Sequence, residues 1–237
     1  MLPLPTIDYP IIELPVPSKG TKVKARPFTV KEEKLLLIAA TGKDQSEIIQ
    51  TTKQVIQNCL LEKLDVDKLP FFDIDFMFIT LRSKSISENI EMEFRCKNKK
   101  EDEKVCGAVF PVNLNLSDTT LVGKPVKAKI ELSSNLGIKM RYPTYAEMKR
   151  VSNLNDELEL ILACIEYIYD DTAIYTNKDY TKTQYKEFIE KLTAEQYSKI
   201  SEWTNNFPTF QIKTESVCPS CGFKHQIKYT DFTSFFQ

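Results

Sequence analysis

Apolar residues along this chain recur at two spacings, and the points where one gives way to the other divide it into five blocks. Residues 1–28 hold two short apolar runs, Ile11–Val16 and Lys22–Phe28, around Ser18-Lys19-Gly20. They predict an N-terminal β-hairpin arm. Pro10, Pro15 and Pro27 put that hairpin at a sheet edge, because proline has no N–H to give to a central ladder. Residues 29–86 switch to helical spacing. Thr29-x-x-Glu32 is a capping box that opens a helix through about Ala40. Gly42 and Asp44 separate it from a second helix, on which Ile48, Ile49, Thr52, Val55, Ile56, Cys59 and Leu60 keep to one face. Phe71–Lys84, with Phe72, Phe76 and Ile79, is apolar enough to be a buried third helix.

The period then drops to two. Over residues 87–142, Ile90, Met92 and Phe94 alternate with Glu91, Glu93 and Arg95 in a half-buried strand that runs into Cys96, and Ala108–Leu116 is its return. Another hairpin sets Val126, Ala128, Ile130 and Leu132 against Ile138, Met140 and Tyr142 across Asn135-Leu136-Gly137. Residues 143–207 form a second helical unit. Its helices start at the Thr144-x-x-Glu147 box, at Asp156–Tyr169, at Thr183–Leu192, and at Ala194–Thr204 behind a Thr193-x-x-Gln196 box and a Leu192/Tyr197 staple. Residues 208–237 close with strands Thr209–Ser216 and Lys224–Tyr229, whose tip is Cys218-Pro219-Ser220-Cys221-Gly222. The expected class is α+β, helical segments around β-hairpins, with the blocks gathered into one compact domain.

The cysteines change the picture most. Cys96/Cys106 and Cys218/Cys221 each sit at a hairpin tip, and four thiolates are the full tetrahedral set that Zn²⁺ prefers in a structural site. A redox reading of Cys218-x-x-Cys221 needs the motif to open a helix, whereas here it lies between strands. Cys106-Gly107 mirrors Cys221-Gly222, and on that mirror the two hairpins are expected to share one Zn²⁺ in a zinc-ribbon-like Cys₄ site. The wide Cys96–Cys106 spacing, filled by a polar excursion, is its weak point. His225, four residues after Cys221, is the alternative ligand, against a plain role as a strand residue. Cys59 and Cys164 lie on apolar helix faces and read as core cysteines.

Composition narrows function further. The 237 residues carry a formal net charge of −1, so bulk electrostatics predict neither nucleic-acid nor membrane binding. No apolar run is long enough to span a membrane, and Met-Leu-Pro-Leu-Pro lacks the form of a signal peptide, so a soluble, cytosolic protein without disulfides is expected. A single histidine leaves no nucleophile with an orienting base, and a closed Cys₄ site does no chemistry; the chain reads as a non-enzyme. Asp73 and Asp75 favour the N-terminus of the third helix through its dipole. Glu101, Asp102 and Glu103 cancel the cluster Lys97, Lys99, Lys100 and Lys104. Arg82 and Ser85 either cap their helix or meet a partner. Phe232, Phe235 and Phe236 either dock on the protein's own core or anchor a partner.

Four segments in order carry a resemblance. They are Ala-Arg-Pro-Phe-Thr-Val-Lys-Glu-Glu-Lys-Leu-Leu-Leu at 25–37, Asp73-x-Asp75 running to Leu81-Arg82-Ser83-Lys84-Ser85, the strand ending in Cys96, and Cys-Pro-Ser-Cys-Gly-Phe-Lys-His at 218–225 leading to Phe235-Phe236. Over roughly residues 10–237 the chain resembles the T4-type phage baseplate hub and hub-assembly family of contractile tails. The resemblance implies a non-enzymatic structural or assembly role in the central hub, with other phage tail and baseplate proteins as partners and self-association as a further option. It places the protein in the host cytoplasm during assembly and in the virion baseplate if retained. Arg82, Ser85, Phe235 and Phe236 are the partner-binding candidates. The competing class is a zinc-ribbon nucleic-acid-binding or transcription-associated factor.

Overall fold

The structure, a computed structural model, describes residues 5, 7–42, 44–99, 103–123, 128–150, 157–232 and 235, leaving aside the side chains of 149 and 150. Lys100, Glu101, Asp102, Val126, Asp156 and Phe236 lie outside that set, as do the first four residues. The elements begin with β1 (Ile12–Val16), β2 (Thr21–Ala25), α1 (Val30–Gly42), α2 (Gln45–Cys59), α3 (Phe71–Ser85), β3 (Asn89–Arg95), β4 (Val109–Asn115) and β5 (Thr120–Val122). There follow β6 (Lys129–Glu131), β7 (Leu136–Met140), α4 (Tyr145–Arg150), α5 (Glu157–Cys164), β8 (Ile165–Asp170) and β9 (Ile174–Thr176). The chain closes with α6 (Lys182–Glu190), α7 (Ala194–Asn205), β10 (Thr209–Val217) and β11 (Lys224–Tyr229). This is the expected α+β mixture, and the described strand pairs are all antiparallel. Two compact units result: Met1–Asp67 with Phe72–Val122 and Thr209–Gln237, and Lys68–Phe71 with Gly123–Pro208.

In the first unit, β1 and β2 form the N-terminal hairpin, turned by a short 3₁₀ helix and Gly20 at φ 62°. Its tip is held by Asp73 of α3, whose buried carboxylate accepts the Ser18 amide at 2.8 Å and the Ser18 hydroxyl. The helix-dipole reading of Asp73 thus omitted its main partner. Burial pushes the Asp73 carboxyl up, and those two bonds oppose the shift. Half of the expected box forms: the Thr29 amide donates to Glu32 at 2.8 Å, and Arg26 reaches the same carboxylate at 2.8 Å. Phe72, Ile74, Met77, Phe78, Ile79 and Leu81 are all buried, so α3 is a core helix with apolar residues on every side. Strand β10 pairs with β11 on one edge and β5 on the other, while β3 and β4 make a separate hairpin.

The second unit is a four-stranded sheet, β6-β7-β8-β9, with α5, α6 and α7 over a core of Ile138, Met140, Ile161, Cys164, Ile168, Tyr185, Ile200 and Trp203. The expected helix Asp156–Tyr169 is corrected here. Among the described residues it runs only over α5, and Ile165 to Asp170 turn into strand β8 between β7 and β9. The reason is local: Ile-Glu-Tyr-Ile-Tyr is β-branched and aromatic, and two flanking strands satisfy its backbone on both sides. The Thr181/Gln184 and Thr193/Gln196 capping boxes are both closed, the second as expected.

Candidate metal centre

Each cysteine pair owes its position to a hairpin, and these two hairpins of the first unit close in the same way. At the first tip, the Cys96 amide donates to the Ala108 carbonyl at 2.8 Å and the Gly107 amide to the Cys96 carbonyl at 3.1 Å. At the second, the Cys218 amide donates to Phe223 at 2.9 Å and the Gly222 amide to Cys218 at 2.9 Å. Ala108 and Phe223 each stand two residues after the second cysteine of their pair, so the bonds correspond one for one. Gly107 at φ 69° and Gly222 at φ 71° occupy the left-handed region that favours glycine. That turn aims the next amide at the preceding sulfur, giving Ala108 to Cys106 and Phe223 to Cys221. The excursion inside the first pair has its own closure: Lys99 bridges Val105, and the Cys106 amide donates to Asn98 at 2.8 Å. It therefore leaves the knuckle geometry intact.

The four sulfurs of Cys96, Cys106, Cys218 and Cys221 lie within 4.8 Å of one another. Across the hairpins, Cys96 stands 3.7 Å from Cys221 and Cys106 stands 3.9 Å from Cys218. A tetrahedron with metal–sulfur bonds of about 2.3 Å has edges of about 3.8 Å, so the donor set fits one Zn²⁺-sized ion. These separations are far beyond a sulfur–sulfur bond, and the cysteines are free thiols. Four such donors can hold a metal and, in doing so, fill a tetrahedral shell with no position left for a substrate.

The electrostatics divide the set. The Ala108 amide holds the Cys106 thiol down, to about 6, and the Phe223 amide likewise lowers Cys221. Cys96, with no exposure, is pushed up to about 12 by burial. A bound dication favours the thiolate form of all four. Two residues here carried no signal of their own in the sequence: Asn98, whose side-chain amide reaches Cys221 at 3.7 Å, and Ser220, which bonds Cys106. Asn98 also donates its backbone amide to Cys96.

Of the other candidates, His225 adjoins the cluster and the rest lie elsewhere. His225 is buried in β11, its Nε2 3.1 Å from the Cys96 sulfur. The Ser85 hydroxyl donates to the Leu81 carbonyl at 2.6 Å and accepts the Phe28 amide at 3.0 Å, a local role. Arg82 keeps Nη1 inside without an acceptor among the described residues, and burial lowers its pKa. Phe232 packs on Phe78 at 5.8 Å and Phe235 on Phe210 at 6.2 Å, both buried. Cys59 and Cys164 are core thiols, pushed up to about 11 and about 12 by burial. In the second unit, a 370 Å³ groove is lined chiefly by Leu136, Ile168, Tyr175, Tyr185 and Phe188. Its carboxylate, Asp170, is taken up by the hydroxyls of Thr172 and Tyr175, each at 2.7 Å. Among the described residues, no helix is long and apolar enough to cross a membrane.

Neither the curated proteins nor the solved structures yield a match. The family model described as T4 bacteriophage base plate protein matches residues 9–237, nearly the whole chain and both units. That family implies a structural, non-enzymatic role among phage tail proteins. The chain belongs to the T4 bacteriophage base plate protein family.

Proposed function

We propose that the protein is a structural or assembly component of the central hub of a contractile tail baseplate, acting through protein–protein interfaces and stapled by one structural Zn²⁺. The observation that carries the metal half is the convergence of four sulfurs from two hairpins that close alike, with both separations across the hairpins at the edge length of a zinc tetrahedron. Cys96, Cys106, Cys218 and Cys221 are its ligands, and the ion ties the middle of the chain to its end. The family match supports the baseplate half. So does the apolar surface along α1, where Val30, Leu37 and Ile38 are 65%, 56% and 63% exposed; surface of this kind is covered when a subunit joins a larger particle. Arg82, half-buried with Nη1 inside and unpaired among the described residues, is kept as a partner-binding candidate.

Three measurements test the reading. Metal analysis of protein purified without chelator should give one zinc per chain; a chain that carries none loses the staple. Mass spectrometry of purified virions should find stoichiometric peptides if the protein is a hub subunit. Expression in infected cells with absence from virions makes it an assembly factor. Steeply salt-dependent binding to DNA or RNA, with no association with tail proteins, refutes the hub in favour of the nucleic-acid class.

A further inference from the structure

The closure of the two knuckles puts their strands in correspondence, and one pair of positions breaks it. Arg95 pairs with Val109 and Phe94 with Phe110 in the first hairpin; Val217 pairs with Lys224 and Ser216 with His225 in the second. Phe110 and His225 therefore hold equivalent places, each four residues after the second cysteine of its pair. Both rings belong to one aromatic layer beneath the sulfurs. His225 stands 5.0 Å from Phe94, 4.8 Å from Phe223 and 6.4 Å from Phe110, and both His225 and Phe110 are buried. A phenyl ring meets the packing requirement at the equivalent place. An imidazole brings something that packing does not need, a nitrogen, and that nitrogen is turned to the Cys96 sulfur at 3.1 Å.

Cys96 is the ligand for which this matters. Cys106 and Cys221 are half-buried and open to water, whereas Cys96 and Cys218 are buried, and of these two it is Cys96 that faces the imidazole. A sulfur carrying negative charge in a dry site needs hydrogen-bond donors from the protein, and bonds to a charged acceptor are about twice as strong as neutral ones. The Asn98 amide supplies one. We infer that His225 is the positioning residue of the metal centre, donating its Nε2–H to the Cys96 sulfur and holding it in the coordination shell without being a ligand itself. The donor atoms that converge within 4.8 Å of one another are the four sulfurs, which complete a tetrahedron without the imidazole. The inference rests on the zinc reading of the four cysteines proposed above.

The test uses the full-length protein and three readouts: zinc content as purified, zinc affinity by competition with a chromogenic chelator, and the absorption spectrum after replacement of zinc by Co²⁺. His225→Phe keeps an aromatic ring and removes the donor, with Phe110 as the precedent for its fit; His225→Gln removes the ring and keeps an N–H at the corresponding place. The expected result is zinc in the wild type, a loss of about 10–100-fold in affinity for His225→Phe, and recovery of most of that loss in His225→Gln. The Co²⁺ spectrum should be that of four thiolates in all three proteins. Wild-type affinity in folded His225→Phe overturns the inference, and so does an equal loss in both variants, which would mark a packing role. A wild-type Co²⁺ spectrum with nitrogen coordination, lost in His225→Phe, makes His225 a ligand and overturns it too. A wild type that neither contains nor binds zinc refutes the zinc reading itself, a failure distinct from the others.

Discussion

Replacing Gly222 with alanine isolates the backbone contribution to the second knuckle. At φ 71° the residue lies in the left-handed region, which costs an L-residue with a Cβ about 1–2 kcal/mol. A Cβ built on Gly222 meets nothing within 4 Å, so no steric clash adds to that cost. The same conformation sets the Gly222 amide on the Cys218 carbonyl and the Phe223 amide on the Cys221 sulfur, so the loop cannot relax without losing both bonds. Gly222→Ala should therefore lower unfolding free energy by about 1–2 kcal/mol, a factor of about 5–30 in the folded-to-unfolded ratio. Gly222→Asn should recover part of this, because asparagine tolerates the left-handed region. Gly107→Ala should behave like Gly222→Ala, since its added Cβ would meet only the Val105 carbonyl oxygen, at an ordinary 3.8 Å. Urea titrations of the proteins purified without chelator measure all three. An alanine variant indistinguishable from wild type, or an asparagine variant as unstable as alanine, would refute the reasoning.

Two further perturbations address the rest of the first unit. Arg26, bonding Glu32, lowers the Glu32 carboxyl from 4.5 to about 2, so this pair stabilises the fold fully above pH 4.5 and progressively less as pH falls towards 2. The side chains are 21% and 5% exposed, between the surface and buried limits, and Glu32→Gln should cost about 2–3 kcal/mol at pH 7. Its stability should also vary less with pH across that acid window; an unchanged slope in urea titrations at pH 3 and pH 7 counts against the pair. Phe232→Ala should cost about 3–5 kcal/mol by the same measurement, because the ring is 2% exposed and set edge-on against Phe78. A loss below about 0.5 kcal/mol, typical of exposed sites, would mean that the aromatic end is not docked.

Much of this fold was legible because local chemistry and tertiary structure agree. The Thr29, Thr144 and Thr193 boxes start helices where the sequence places them, and the alternation of Ile90, Met92 and Phe94 becomes β3. Where they part, the tertiary partner decides. Leu-Ile-Leu-Ala-Cys-Ile-Glu-Tyr-Ile-Tyr reads as one apolar stretch, and only the presence of β7 and β9 turns its second half into a strand. Strands β5 and β9, three residues each, are too short to carry a period of their own. The cysteine cluster was foreshadowed by two Cys-Gly steps, because both glycines are needed for the same positive φ. Asn98 and Ser220 were not, since a side chain that bonds sulfur across hairpins has no mark in a linear pattern.

The sulfur pairs are separated in the chain by 112 residues between Cys106 and Cys218. At a synthesis rate of about 5–20 residues per second, the second pair leaves the ribosome roughly 6–20 s after the first. Through that interval the nascent chain holds only Cys96 and Cys106 of the four sulfurs. On the proposed zinc reading, capture of the ion in a full shell is a late event in the life of the polypeptide. Closing that shell requires that the last hairpin has been made and has met the earlier one.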